Sequence, residues 1–209
     1  MYFLRNLLGA SLLVSLSACA SGDEAASRPP LNSERIATVF GSYGVHIVAQ
    51  SRAQRASCLF SGAGDARVCR TLALVRYSAA PDPRVAPSLD RIRGGASLGA
   101  TLQSDGWTVA KRHRLIDQID AEDPAYGGLQ RFFGVDGAQP FAFHLYSLDA
   151  ERGNVTIPVA ELLEVHHPAY LSAAQLREIY DASPGAQPAQ IDDWFDDLQS
   201  AFGGPAPFN

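Results

Sequence analysis

The sequence predicts an α+β fold, a two-layer sandwich in which a mainly antiparallel sheet of about six strands carries helices on one face. Three observations carry that reading. Runs rich in Val, Ile, Leu and aromatic residues, such as YGVHIVAQ (43–50), RVCRTLALVRY (67–77) and PFAFHLYSLD (140–149), have strand length and are bounded by turn residues. Several neighbouring runs are joined by turns too short for a crossover, so they pair antiparallel. Between the strand groups, apolar residues recur at helical spacing beside capping signals.

The first helix is capped by Asn32 or Ser33, with Leu31 stapled against Ile36. Ile36, Val39 and Phe40 form its apolar stripe, and Gly41 ends it. The strand 43–50 follows, then a hairpin whose arms flank SGAGDAR (61–67). AAPDPR breaks the chain. Ser88 begins a second helix with Leu89, Ile92, Ala96 and Gly99 on one face, ending near Asp105-Gly106. Strands are predicted over 107–116, 140–149 and 154–165, the last two joined by an AERG turn. A long connection, 117–139, separates the first two, and Asp123-Pro124 starts a short helix there. The order helix-strand-strand-strand therefore occurs twice and points to a duplicated unit. Ser172 and Gln175 form the capping box of a further helix, with Leu171 stapled to Leu176. After SPGAQPA (183–189) comes IDDWFDDLQSAF, with Ile191, Trp194, Phe195, Leu198 and Phe202 on one face and four Asp on the other. This tail helix is read as packing back on the domain, with partner docking as the alternative.

Four segments result: a signal peptide (1–18), a flexible tether (19–32), the α+β domain (33–182), and a linker with the amphipathic helix (183–209). The N-terminus places Arg5 before an apolar run, Leu7 to Leu16, too short to span a bilayer. Leu16-Ser17-Ala18-Cys19 resembles the lipobox of bacterial lipoproteins at all four positions. That resemblance implies cleavage before Cys19 and acylation of its thiol, as with palmitate, and several acyl chains hold a domain on a membrane. Ala20, where Asp would redirect sorting, implies the inner leaflet of the outer membrane, facing the periplasm. The stretches HHPAYLS, SYGVHIVAQ and CRTLALVRY are similar to uncharacterised proteobacterial envelope lipoproteins, a resemblance that brings no activity with it. The net charge is −5 and no Lys/Arg cluster occurs, which excludes nucleic acid as a partner.

With Cys19 lipidated, Cys58 and Cys69 remain as an even pair in an oxidising compartment. A hairpin centred between Ala63 and Gly64, with Gly62 to Asp65 as its loop, sets them opposite each other in disulfide range. Their spacing is far from that of a redox or metal pair.

Candidate chemistry is sparse. GASLG (95–99) matches the serine-hydrolase pattern G-x-S-x-G, with Ser97 as nucleophile and Asp136 and His144 or His166 in the right chain order. The strand that should precede it is missing, because SLDRIRG is charged and helical in period. Gly95, Ala96 and Gly99 read better as small residues for close helix packing. His166 and His167 are neighbours on a strand and point to opposite faces, so no recognisable metal spacing exists and no cofactor is expected. Tyr126, Phe132 and Phe133 in the long connection are candidates for a ligand or protein contact, or fill the open side of the sheet. The reading is a membrane-anchored periplasmic lipoprotein with a non-catalytic, binding or structural role. The alternatives are a hydrolase using Ser97 or a His-based metal site, and an inhibitor or assembly factor docking an envelope protein.

Overall fold

The fold is that of a computed structural model, which describes residues 29–120, 123, 126–135, 139–182 and 191–202. The signal peptide, Cys19, Asp136 and the 183–190 linker lie outside the described residues. The elements run α1 (Asn32–Phe40), β1 (Gly44–Gln50), β2 (Gln54–Ser61), β3 (Val68–Tyr77), α2 (Ala86–Arg93), α3 (Leu98–Ser104) and β4 (Thr108–Ile119). Then follow α4 (Gly127–Phe133), β5 (Phe141–Arg152), β6 (Val155–His166), α5 (Ala173–Tyr180) and α6 (Ile191–Phe202).

The α+β class and the six-stranded antiparallel sheet are as the sequence predicts. Strand order is β1-β2-β3-β6-β5-β4. Two three-stranded meanders therefore meet at one seam, where β3 pairs with β6 from Thr71 opposite His166 to Tyr77 opposite Ala160. The two helix-strand-strand-strand halves lie on either side of it.

Four helices, α1, α2, α3 and α5, cover the face that carries Leu59, Ala73, Val75, Tyr146 and Leu162. The other face is covered too: Leu72, Leu74, Phe143, Leu163 and Val165 pack with α4 and α6. Ile191, Trp194, Phe195, Leu198 and Phe202 of α6 are all buried there, and the Phe195 ring meets Phe143 edge-on at 5.3 Å. The Asp face of α6 looks outward, and Asp197 accepts from Arg76 at 2.7 Å.

Local departures from the expected elements have local causes. The predicted second helix is two, because Gly95 takes φ +109° and turns the chain between α2 and α3. Asn32 does not cap α1: Leu31 holds that position, and Asn32 is 4% exposed with its amide committed to buried partners. The capping box at Ser172 and Gln175 is formed, Gln175 N–H donating to Ser172 Oγ at 3.3 Å and Ser172 N–H to Gln175 Oε1 at 2.8 Å. Cys58 and Cys69 form a disulfide with Cα atoms 5.8 Å apart. They are not directly opposite. Cys69 faces Phe60 and Cys58 faces Leu72, because the ladder shifts register between Leu59 and Phe60 and a short 3-10 turn, Gly64–Ala66, lengthens the loop.

A disulfide closing so short a loop stabilises by about 3 kcal/mol through the unfolded chain. The double variant Cys58→Ala/Cys69→Ala should lose about that much in urea denaturation, with an unchanged far-ultraviolet circular dichroism spectrum. Phe195→Ala should cost about 3–5 kcal/mol, since its ring fills the centre of the second face.

Candidate functional site

Both sheet faces are covered at the centre of the sheet, so a polar side chain there is withdrawn from water and needs a partner, while His113 on the edge strand β4 stays exposed and Lys111 half-buried. On the face under α1, α2, α3 and α5, four strands break the apolar pattern at alternate positions. β2 contributes Arg55 and Ser57, β4 Lys111 and His113, β5 His144 and Tyr146, and β6 Glu164 and His166. They form two adjoining polar clusters.

The first surrounds a cavity of about 60 Å³ between the sheet and the starts of α1 and α3. Its polar lining includes Tyr43, Arg55, Ser57, Ser97, Lys111, Tyr146 and Glu164. Arg55 is 4% exposed, and its Nη1 donates to the carbonyls of Ile92 (2.8 Å) and Ala96 (3.1 Å) at the α2–α3 corner. Its Nε is buried without a partner, and so is the Ser57 Oγ, two residues along the same strand face. Tyr43 OH lies 3.5 Å from Ser97 Oγ, and burial raises the Tyr43 phenol above its ordinary value. Tyr146 is wholly buried and bonded to Glu164, and desolvation pushes its phenol far up. Lys111 Nζ donates to Tyr180 OH at 3.2 Å and sits 4.4 Å from the centre of the Tyr146 ring.

The second cluster lies beneath α5. His113 Nδ1 and His144 Nε2 are 2.7 Å apart and share a proton, with their rings stacked at 4.8 Å. Tyr180 tilts over both rings. His166 Nδ1 meets Thr71 Oγ1 at 3.0 Å across the β3–β6 seam. Thr71 accepts from Asn32 Nδ2 at 3.2 Å, and Asn32 Oδ1 accepts from Tyr170 OH at 2.8 Å. His144 Nδ1 and His166 Nε2 are buried with no partner among the described residues. Burial holds His144 well below the ordinary imidazole range, with Lys111, His113, His166 and Arg35 adding to it. Burial likewise lowers His166 to about 4, against the opposing pull of Glu164.

Ser97 stands at the N-terminal boundary of α3 after the Gly94-Gly95 turn, and the element before it is α2, a helix. The strand-turn-helix of a nucleophile elbow is therefore not built. His144 and His166 are bonded to His113 and Thr71, not to Ser97. The hydrolase alternative falls with this geometry. His167 points to the other face, where its ring meets Phe133 edge-on at 5.6 Å. Among the described residues no group of three or more His, Cys, Asp or Glu could hold a metal ion. Phe132 and Phe133 are buried against α6 and β5, and Tyr126 packs on Phe195, so these rings fill the core. A groove of about 590 Å³ on the α6 side is lined by Arg76, Arg112, Asp149 and Glu161. Its charges are paired, Arg112 with Asp149 and Arg114 with Glu161, each at 2.5 Å.

Two solved structures share part of this chain course. PhnF from Mycobacterium smegmatis is 17% identical, with a TM-score of 0.44, over 68% of this chain and 66% of that one. The effector domain of PhnF is 18% identical, with a TM-score of 0.43, over 69% of this chain and 95% of that one. No protein-family profile matches the chain, and no curated protein is significantly similar to it. The neighbours found are PhnF and its effector domain, not an envelope lipoprotein. On that finding the expectation of a membrane-anchored envelope lipoprotein is corrected. Its outer-membrane location, its membrane partner through Cys19 and its docked envelope protein are not carried forward. At this identity and TM-score the likeness assigns no activity or ligand to this chain. Among the described residues no helix is long and apolar enough to cross a membrane.

The two buried histidines give the fold an acid-sensitive term. In the unfolded chain they take up protons near pH ~6.5, whereas in the folded chain they stay neutral to much lower pH. Stability should be fully present above pH ~6.5 and fall as the pH drops towards 4, by about 3 kcal/mol for His166 alone. Urea titrations across that range should show the loss, and His166→Asn should reduce it by the His166 share, leaving that of His144.

Proposed function

We propose that this chain is a binding domain for a small molecule, seated in the cavity between the sheet and α1 and α3. One observation carries the reading: charged and hydroxyl side chains, Arg55, Ser57, Lys111 and Glu164 among them, line a cavity between the sheet and its helices beside apolar residues such as Leu59, Val75 and Leu162. Buried polar groups without partners are rare because each costs about 1–3 kcal/mol. A ligand that supplies the missing bonds recovers that cost on binding. The rim also fits. α1 and α3 meet through Leu31 and Gly99, where a Cβ on Gly99 would lie 2.7 Å from Leu31 Cδ1. The roof is thus a contact between two short helices and not a continuous sheet ladder.

A ligand bound at a hundred times its Kd stabilises the folded state by about 2.7 kcal/mol, which a thermal-shift screen of small metabolites reads as a raised Tm. Ala73 lines the cavity from β3 and is 4% exposed. Ala73→Leu should fill the space, cost about 1–3 kcal/mol from overpacking and abolish the ligand-induced shift. A library in which no compound raises the Tm of the unaltered chain defeats the reading.

A further inference from the structure

We infer that the ligand is a small monoanionic carboxylic acid, with its carboxylate held by Arg55 and Ser57. The inference rests on the binding reading above and adds the chemistry of the bound group.

Arg55 is a permanently charged side chain in a nearly dry site, and a charge so placed requires compensation. Among the described residues no carboxylate lies within ion-pair distance of it. Its compensation within the fold comes from the Ile92 and Ala96 carbonyls, and the end of α2 supplies roughly half a negative charge at most. These two bonds occupy Nη1 and fix the guanidinium plane. The Nε donor remains unpartnered, and so does the fully buried Ser57 hydroxyl, both on side chains that line the cavity. A planar carboxylate suits a guanidinium because it accepts from two of its N–H groups at once. The hydroxyl is a further donor beside it.

The rest of the cavity sets the ligand's charge. It is lined by two cations, Arg55 and Lys111, and one carboxylate, Glu164, which is engaged by Tyr146. The sum is one positive charge, which a monoanion neutralises. A phosphate dianion would leave the site net negative. A volume of about 60 Å³ holds roughly four water-sized spheres, enough for a carboxylate and a short carbon stem. Glu164, which also lines the cavity, can accept from a hydroxyl on the second carbon. Acids with such a substituent should therefore bind more tightly than acetate.

The test is calorimetric titration of the full chain with acetate, glycolate and lactate, beside acetamide and inorganic phosphate at matched ionic strength. The expected result is binding by the carboxylates, tightest for glycolate or lactate, with acetamide and phosphate at least tenfold weaker. Ser57→Ala should weaken carboxylate binding about tenfold while leaving the fold intact, and Arg55→Gln should abolish it. Should Arg55→Gln fail to fold, Arg55→Lys replaces it, with an expected loss of about tenfold because the planar fork is gone. Preference for neutral, cationic or phosphate ligands over carboxylates overturns the inference and leaves the binding reading standing. Carboxylate affinity unchanged in Ser57→Ala and Arg55→Lys also overturns it. If no molecule of any charge is bound, both fall together.

Discussion

The antiparallel pairing of β3 with β6 is the contact on which the rest of the structure depends. Each meander alone is a three-stranded sheet with its own helices. Only the seam brings Arg55, Ser57 and Thr71 from one half beside Lys111, His144, Tyr146, Glu164 and His166 from the other. Register matters here more than pairing as such. A slip of one residue would turn every side chain of a half to the opposite face. Thr71 opposite His166, with its 3.0 Å side-chain contact, ties the register of the seam to the polar cluster it creates.

That cluster sits where polar groups cost most. The second face is closed by α4 and α6, so the strands have no solvated side on which to place charge at the centre of the sheet. The fold meets this constraint in two ways. Under α5 the histidines stay neutral and pass hydrogen bonds from ring to hydroxyl to amide, ending at Tyr170. Around the cavity stand Arg55, Lys111 and Glu164, and there Arg55 Nε and Ser57 Oγ keep no partner among the described residues. The difference between these solutions separates a structural network from a site.

The strands and most helices were legible because their signals are local: period-two runs, turn residues, and the Ser172–Gln175 cap. The α2–α3 break was missed because small residues at Gly95, Ala96 and Gly99 satisfy a helical stripe as readily as a turn. The register of the Cys58–Cys69 hairpin was missed because a bulge leaves no compositional trace. The site was less legible than the fold. Ser97 does line the cavity, yet as one hydroxyl among several at a helix start. Arg55, Ser57, Lys111 and Glu164 read as the polar face of half-solvated strands. Only knowledge that α6 covers the second face makes their alternation anomalous, and that comes from tertiary packing. The single available sign was the repeated polar pair at i and i+2 on four strands.

Arg55 also explains why the cavity keeps its shape. The bonds from its Nη1 to Ile92 and Ala96 pin the corner between α2 and α3 to the centre of β2. Asn32 pins α1 through Thr71 and Tyr170. The two roof helices are thus fixed to the sheet independently and meet at Leu31 and Gly99, where only a residue without a Cβ permits the approach. A guanidinium already oriented by backbone carbonyls loses little further freedom when it takes up an anion, so the cost of ordering it has been met during folding. The residue that closes the corner and the residue that would receive the ligand are the same. Any ligand held by Arg55 is therefore coupled directly to the α2–α3 corner, and through Leu31 and Gly99 to α1.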